Sequence, residues 1–566
     1  MPKTVKGVIA LLAAILPLSV SASVVSLPLT IDGFTHHAEL MENRELKDKI
    51  STQVKQDLGR HYSGSIASVD GSWLRVSNID NRWQGVASVY GELFIVDQPV
   101  DLAFSAAQAT TATVAALPVT DFAEELGSCA SGVSTLNALV NEAPLANAFG
   151  AASVAEPVQF SSFCAAQVDG ICILAEIEFA FDLAFQSLFA GQAAAQAAAL
   201  INIAEGYYLN DLNMGFDVIT MEFMSSDLFS PTTNALSLLG DIQSKKSASQ
   251  IPFVKNSRAL FHLVTGRDFD GSTAGIAYVD GICDNAGFSS GTTSVVGSGA
   301  NQIPLTALIV AHELGHNFGA FHDGDLNDAF AASCPSGVHI MSTAVSSAFT
   351  NFSSCSIQAF QNDIDTQAPN PNLCFNFPAN VSMTASGGNP TTANSNTTFS
   401  TGYSVAVTSG FQVVNQLRIS GTVNVGGRFS NVTANGLACA ISANQGHENT
   451  AYSCTVNNPG SSVALAMDIF ATGWDAQVLL THGVTVLSAD VVDLMDNDNS
   501  VNEVVAVMGE LTEAPPLVPT VSGDSGASNN ASGSGGGGGG GGSIDGFLLA
   551  LCGLLLGRRF RLRARR

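Results

Sequence analysis

The amino-acid sequence predicts a mixed, mostly parallel α/β domain in its middle, with a β-rich region before it and a β-sandwich after it. Residues 173–182 and 217–224 alternate apolar with polar or small side chains, as strands do, and a long helical pattern at 184–209 separates them. Strands that alternate with helices favour a mixed α/β sheet. At 61–96, and from about 377 to 510, short alternating runs between turn residues indicate antiparallel strands.

The composition indicates an exported, multidomain protein. Its 566 residues, 46% of them hydrophobic, are enough for several domains with buried cores. A formal net charge of −26 argues against nucleic acid and anionic membranes as partners. Residues 1–22 have the form of a secretory signal peptide: Lys3 and Lys6 precede an apolar run at 8–18, and small residues follow at 20–22.

The motif HELGHNFGAFHD carries the residue types of a catalytic metal site. On a helix, His312 and His316 project from the same face one turn apart, so their imidazole nitrogens can bind one ion. Glu313 is close enough to reach a metal-activated water without being a ligand. Gly319 can end the helix with a positive φ and turn the chain back, so that His322 becomes the third ligand. Three protein ligands leave a fourth position open, as hydrolysis by zinc requires.

The pattern H-E-x-x-H-x-x-G-x-x-H resembles that of the metzincin metalloproteases, and Asp323 directly after it resembles the adamalysin (reprolysin) branch. The resemblance spans 172–377. It implies a metzincin catalytic domain, in which a long zinc helix lies beneath a mixed, mostly parallel sheet. It also implies that Met341, in VHIMST, is the Met-turn methionine beneath the zinc. The segment GIAYVDGIC would then lie at the edge strand against which peptide substrates align.

The region before this domain, residues 23–171, resembles the propeptide of adamalysin-type enzymes, in which a similar H-Y-x-G opening precedes strands. Cys129, in GSCASG, has two interpretations. As a cysteine switch, its thiolate would occupy the open zinc position until the propeptide is removed. As an ordinary structural cysteine it would form a disulfide with Cys164 or Cys172, and we favour this second interpretation.

Ten cysteines behind a signal peptide favour disulfides over metal ligands. The resemblance implies two bonds in the catalytic domain, and two cysteines that bracket a hairpin-like stretch of the next domain are expected to form a third. These pairs are Cys283–Cys374, Cys334–Cys355 and Cys439–Cys454. Spacing alone does not determine the connectivity.

The structural calcium of several adamalysins is only partly matched by this sequence. Glu176 matches one of the expected ligands, but Ala259 replaces an acidic residue that the family places before the LVTG segment. The ending formed by Cys374 and Asn376 is also spaced differently. Calcium is therefore doubtful, and one catalytic zinc ion is the expected cofactor.

Residues 378–510 are rich in Val, Thr, Ser, Asn and Gly and have no helical periodicity, which predicts a β-sandwich of the immunoglobulin-like class. No cluster of catalytic residues stands out in it. We interpret His447 and His482 as isolated, solvent-facing loop residues. The domain is expected to act as a spacer or in substrate attachment.

The C-terminus combines a flexible linker, Pro-, Ser- and Gly-rich at 511–542, with a short apolar segment and six arginines at 543–566. A plain membrane anchor with positive-inside orientation is one interpretation. The order of glycines, apolar segment and basic end resembles the GlyGly-CTERM sorting signal of Gram-negative bacteria. That resemblance implies transient inner-membrane contact, removal by a rhombosortase-type protease and export by type II secretion.

The sequence thus predicts a secreted or surface-displayed zinc endopeptidase, made as a proenzyme by a Gram-negative bacterium, with protein or peptide substrates. The alternative is a non-catalytic surface adhesin whose zinc only stabilises the fold. Glu313 and the open fourth position favour the enzyme.

Overall fold

A computed structural model describes residues 24–31, 33–43, 58–99, 114–118, 159–328, 331–344, 349–367, 373–444, 447–495 and 498–512. The predicted signal peptide, Cys129, the linker beyond residue 512 and the segment 543–566 lie outside these residues. Within the described part of the chain, no helix is both long and apolar enough to cross a membrane.

The N-terminal region forms a closed barrel of seven strands. They are β1 (Val25–Ile31), β2 (Phe34–Glu42), β3 (Arg60–Ile66), β4 (Trp73–Ile79), β5 (Arg82–Val89), β6 (Glu92–Pro99) and β7 (Val114–Pro118). Strands β3 to β6 pair antiparallel with their neighbours in the chain, as the alternation at 61–96 predicts. Two-residue turns with positive φ at both positions, Asp80–Asn81 and Tyr90–Gly91, connect β4 to β5 and β5 to β6. Parallel pairing of β1 with β7 closes the barrel.

The middle of the chain contains a five-stranded mixed sheet with helices around it. Its strands are β8 (Ile173–Phe181), β9 (Met214–Phe223), β10 (Leu260–Thr265), β11 (Gly275–Ala277) and β12 (Ser290–Ser294). Their order is β11-β12-β10-β8-β9, and all neighbours are parallel except β11, which pairs antiparallel with β12 at the edge. The predicted mixed, mostly parallel sheet is confirmed.

The described residues of this region include six α-helices. They are α1 (Phe160–Phe163), α2 (Leu183–Leu188), α3 (Ala193–Leu212), α4 (Ala235–Ser247), α5 (Gln302–Asn317) and α6 (Ser354–Gln367). The helical pattern at 184–209 is divided between α2 and α3, since Gly191 takes a φ of 80° and turns the chain. Asn234 caps the start of helix α4, because its side chain accepts a hydrogen bond from the Ser237 amide at 2.9 Å.

Two β-sheets around a common core make up the C-terminal region. The strands are β13 (Phe375–Ala385), β14 (Thr392–Asn394), β15 (Thr397–Ser409), β16 (Gln416–Val423), β17 (Gly427–Ala434), β18 (Leu437–Ala438), β19 (Ala440–Asn444), β20 (His447–Asn457), β21 (Ser462–Ala471), β22 (Gln477–Val486), β23 (Val491–Asp493) and β24 (Ser500–Met508). The interpretation of His482 as a solvent-facing loop residue is wrong. It lies in β22, buried on the same face as Val478 and Leu480, because alternate residues of a strand point inward.

Strand β13 joins the central and C-terminal regions. Phe375 pairs with Ala175 of β8, and four residues later Ala379 pairs with Ser409 of β15. The predicted boundary between residues 377 and 378 therefore falls inside a continuous strand, so that one sheet extends across both regions.

Candidate metal centre

Helix α5 carries the first part of the HELGHNFGAFHD motif through the protein core. Every residue from Ile303 to Asn317 is buried, so the apolar run before the motif packs on all sides. The Tyr208 hydroxyl of α3 donates a hydrogen bond of 2.7 Å to the Ala311 carbonyl, one residue before the first histidine. These contacts hold the helix rigidly beneath the sheet.

The turn at the end of α5 brings the third histidine back to the helix. Gly319 has a φ of 94°, which glycine adopts without the strain that a Cβ would cause. Its amide donates to the His316 carbonyl at 2.9 Å, and the Ala320 amide donates to the Gly315 carbonyl at 3.0 Å. This pair of bonds is the Schellman motif, so the predicted role of Gly319 agrees with the backbone geometry.

The three histidines of the motif point their Nε2 atoms toward one another. His312 Nε2 lies 3.1 Å from His316 Nε2 and 3.3 Å from His322 Nε2, and all three residues are buried. On the opposite side of two rings, His312 Nδ1 contacts the Ile340 carbonyl at 2.6 Å and His316 Nδ1 contacts the Ala320 carbonyl at 2.7 Å. A carbonyl can only accept, so Nδ1 carries the proton and Nε2 presents its lone pair.

This geometry fits a zinc ion. Tetrahedral zinc with Zn–N bonds of about 2.0–2.1 Å requires ligand nitrogens about 3.3 Å apart, close to the observed separations. Lone pairs this close repel each other unless a cation lies between them. Among the described residues, these histidines form the group of potential metal ligands whose donor atoms lie within 4.8 Å of one another.

The protonation state of the histidines also suits a metal. Burial lowers the pKa of His312 to about 3 and of His322 to about 4. Burial likewise lowers the pKa of His316 well below its ordinary value. The imidazoles are thus neutral at pH 7, as metal ligands must be.

Glu313 follows His312 in α5, with its side chain against the edge strand. It is 1% exposed. A Cβ on Gly275, the first residue of β11, would lie 2.6 Å from Glu313 Oε1 and 2.7 Å from its Cγ. The absence of a side chain at Gly275 therefore gives the Glu313 carboxyl group its space. Sequence reasoning did not single out Gly275, although its place in the edge-strand segment was a usable signal.

The chain after the third histidine closes the site from below. Met341 is fully buried, and a Cβ on Gly315 would lie 2.5 Å from its sulfur, so the methionine packs directly against the metal-binding helix. Asp323 is buried too; its amide donates to the Met341 carbonyl at 2.8 Å, and its carboxyl group accepts from Ser353 Oγ at 2.6 Å. Asp323 thus ties the motif to both the methionine turn and the start of α6.

The residues considered for calcium form a separate polar group. Asn376 Nδ2 donates to Glu176 Oε1 at 3.0 Å and to Asp217 Oδ2 at 2.6 Å, and Asn256 donates to the other Glu176 oxygen. Asp217 was not singled out from the sequence. It lies next to Glu176 because the register of β8 and β9 pairs these two residues.

The structure contains four disulfides among the residues that it describes. Three join Cys283–Cys374, Cys334–Cys355 and Cys439–Cys454, the pairs named from the sequence. The fourth joins Cys164 to Cys172, whose Cα atoms are 4.6 Å apart across a turn at Asp169–Gly170. The interpretation of Cys129 as a disulfide partner of either cysteine is therefore wrong, because each is already bonded to the other.

Comparisons with known proteins agree with this geometry. Residues 175–353 match the profile of Metallo-peptidase family M12, of reprolysin type. The zinc metalloproteinase-disintegrin-like proteins atragin and atrase-A, both from Naja atra, are 28% identical over 196 residues and 35% identical over 119 residues. Those alignments cover 32% and 21% of this chain. Residues 175–353 thus resemble the metallopeptidases of a family that is zinc-dependent.

The matches leave most of each relative uncovered: the alignments span 30% of atragin and 18% of atrase-A. Metalloproteinase-II from Bacteroides fragilis superposes with a TM-score of 0.32 at 12% identity, covering 60% of this chain and 91% of that one. This score is too low to establish a shared fold.

Proposed function

We propose that the protein is a zinc-dependent endopeptidase that hydrolyses peptide bonds in proteins. One observation carries the proposal: the motif places three buried Nε2 atoms at zinc-ligand separations and also contains the buried carboxyl group of Glu313, next to His312 in the chain. His312, His316 and His322 would hold the ion. A structural site is usually closed by four protein ligands, whereas three leave room for water and substrate.

Each group of the chain has a distinct part in the mechanism. Zinc, when bound, supplies Lewis acidity, which polarises the scissile carbonyl and makes water more acidic. The Nδ1–H bonds of His312 and His316 to carbonyl oxygens fix the ring orientations and raise the basicity of the ligating nitrogens. Glu313 accepts the proton of the attacking water and later delivers a proton to the leaving amine.

Strand β11 provides a means to align the substrate. It is the edge strand of the central sheet, and its inner side pairs with β12. An extended peptide can add to such an edge through main-chain hydrogen bonds. Gly275 brings this edge to the Glu313 carboxyl group, so a peptide bound there would pass the catalytic base.

Secretion and activation are further parts of the proposal. Four disulfides suit an oxidising compartment, which supports export by the signal peptide at 1–22. We propose that the segment 543–566 directs rhombosortase-type processing and type II secretion in a Gram-negative bacterium, and that 378–510 is an immunoglobulin-like domain. With Cys164 and Cys172 bonded to each other, the cysteine-switch interpretation of Cys129 becomes the preferred one.

The test is peptide hydrolysis by the purified secreted protein with a chelator and then with added zinc. We expect cleavage of casein to stop on chelation and return with zinc, and mass spectrometry to locate internal cleavage sites. His322→Ala should lower the zinc content measured by elemental analysis. A zinc-loaded, folded protein that cleaves neither casein nor a peptide library would instead favour the adhesin.

A further inference from the structure

Helix α3 is buried on every side, which is unusual for a helix at the face of a sheet. All residues from Ala193 to Tyr208 are buried, including the polar Asn202 and Glu205. One side of this helix packs against α5 through the bond from Tyr208 to Ala311. A helix that is apolar all round needs a cover on each face. The cover on the remaining face is the N-terminal barrel.

The apolar part of this contact is continuous with the core of the central domain. Trp73 of β4 meets Tyr207 of α3 edge-to-face, with ring centroids 5.1 Å apart. A Cβ on Gly206 would lie 2.6 Å from Arg75 Cγ and 3.2 Å from the Trp73 ring, so helix backbone and barrel side chains are in direct contact. Six barrel residues belong to the same apolar cluster as the sheet and helices: Leu58, Trp73, Ile79, Val86, Leu93 and Ile95.

The polar part of the contact pairs buried groups across the two regions. Arg75 Nη1 lies 3.1 Å from Glu205 Oε2 and 3.4 Å from Asn202 Oδ1, and Arg75 is 7% exposed. The other Glu205 oxygen accepts from the Phe216 amide at 3.1 Å, and Asn202 Nδ2 donates to the Tyr62 carbonyl at 3.2 Å. Separation of the barrel from α3 would break the bonds to Arg75 and Tyr62 and expose the apolar surface around them.

We infer that the barrel is a permanent partner of the metallopeptidase domain, which stays bound to α3 after the chain is cut between them. The N-terminal fragment of the same molecule, residues 24–118, thus stays bound to the face of α3 that contacts the barrel. This revises the expectation that residues 23–171 leave as one propeptide: the releasable part is confined to 119–158. The inference concerns binding and does not depend on peptidase activity.

The energetics favour a persistent complex. Separation would break the buried Arg75–Glu205 pair but also rehydrate both charges, so the pair adds little net free energy. The apolar contact around Trp73 supplies most of the affinity, because its burial removes aromatic surface from water. The interface therefore combines apolar burial with a buried polar pair, as a domain core does, and one side of it borders an open cavity lined by Trp73, Arg75, Glu205 and Gly206.

To test this inference, the intact, folded protein is cut between the barrel and the central domain. A recognition sequence for a specific protease is inserted within 119–158 of the Glu313→Gln variant, which prevents self-cleavage, and the cut protein is passed through gel filtration at nanomolar concentration. We expect both fragments to elute together in buffer and separately in denaturant. Hydrogen exchange in 193–212 should be as slow after the cut as before. Separate elution in buffer, with fast exchange in 193–212, would overturn the inference.

Two helical glycines supply a matched pair of variants. Gly206→Ala places a methyl group against Arg75 and Trp73, whereas Gly240→Ala, in α4, has no heavy atom within 4 Å of the new methyl. Both changes raise helix propensity equally. We expect Gly206→Ala to increase the dissociation constant of the fragments at least tenfold, about the effect of modest overpacking, and Gly240→Ala to leave it unchanged. Equal constants for the two variants would contradict the proposed interface.

Discussion

Replacing Gly319 with Ala tests the turn that positions the third histidine. An alanine at a φ of 94° is strained by about 1–2 kcal/mol. The new Cβ would also lie 2.8 Å from Asp363 Cβ and 2.9 Å from Asp280 Oδ1, and such overpacking costs about 1–3 kcal/mol. We therefore expect the free energy of unfolding to fall by about 2–5 kcal/mol in total.

The same change should weaken the metal site. Displacing the turn disturbs the bond from His316 Nδ1 to the Ala320 carbonyl and moves His322, two residues further on. Loss of such an orienting bond weakens metal binding about tenfold to hundredfold. Urea unfolding measures the loss of stability, and zinc titration against a competing chelator measures the loss of metal affinity.

Gly191→Ala is the control for backbone strain alone. Gly191 has a φ of 80°, but a Cβ there would have no heavy atom within 4 Å. We expect its free energy of unfolding to fall by about 1–2 kcal/mol, from backbone strain alone, and its zinc affinity to stay unchanged. If Gly319→Ala unfolds at the same urea concentration as Gly191→Ala and binds zinc equally well, the reasoning about this turn is refuted.

Three further predictions concern the base, the support beneath the site and the C-terminal region. Gly275→Ala should lower kcat at least tenfold at unchanged zinc content, because its methyl group displaces the Glu313 carboxyl group; an unchanged kcat would contradict the geometry. Asp323→Asn should lower the free energy of unfolding by about 1–3 kcal/mol, since a buried acceptor of two serine hydroxyls is altered, whereas the exposed Asp268→Asn should match wild type in urea unfolding. Burial lowers the pKa of His482 from 6.5 to about 4, so protonation favours the unfolded state. Its contribution to stability, up to about 3 kcal/mol, should be lost as pH drops from 6.5 toward 4. Because other buried histidines such as His61 also have lowered pKa values, His482→Gln should make the slope in a pH series of unfolding curves shallower without removing it.

Local spacing predicted that the three histidines lie together, because they are close in the chain. The i, i+4 spacing of His312 and His316 and the glycine at 319 determine most of the triad geometry. Asn234 as a helix cap and the antiparallel strands at 61–96 follow from equally local rules.

Cysteine pairing, strand register and long-range contacts could not be read from such patterns. The Cys164–Cys172 bond, which removes both partners proposed for Cys129, joins cysteines only 8 residues apart, but spacing alone does not determine which cysteines pair. His482 is buried because the register of β22 turns it inward, and an isolated histidine carries no signal of that. The contact of Arg75 with Glu205 joins residues 130 positions apart, and nothing in either neighbourhood indicates the other.

One comparison tests the role of Glu313 as the base of a zinc-dependent peptidase. Wild type and Glu313→Gln are purified in parallel, their zinc content is determined by elemental analysis, and their kcat for a cleaved peptide is measured at saturating zinc. This role of Glu313 predicts equal zinc content and a fall in kcat of at least about a hundredfold, the scale of general base catalysis. A Glu313→Gln protein with full zinc and wild-type kcat would contradict it.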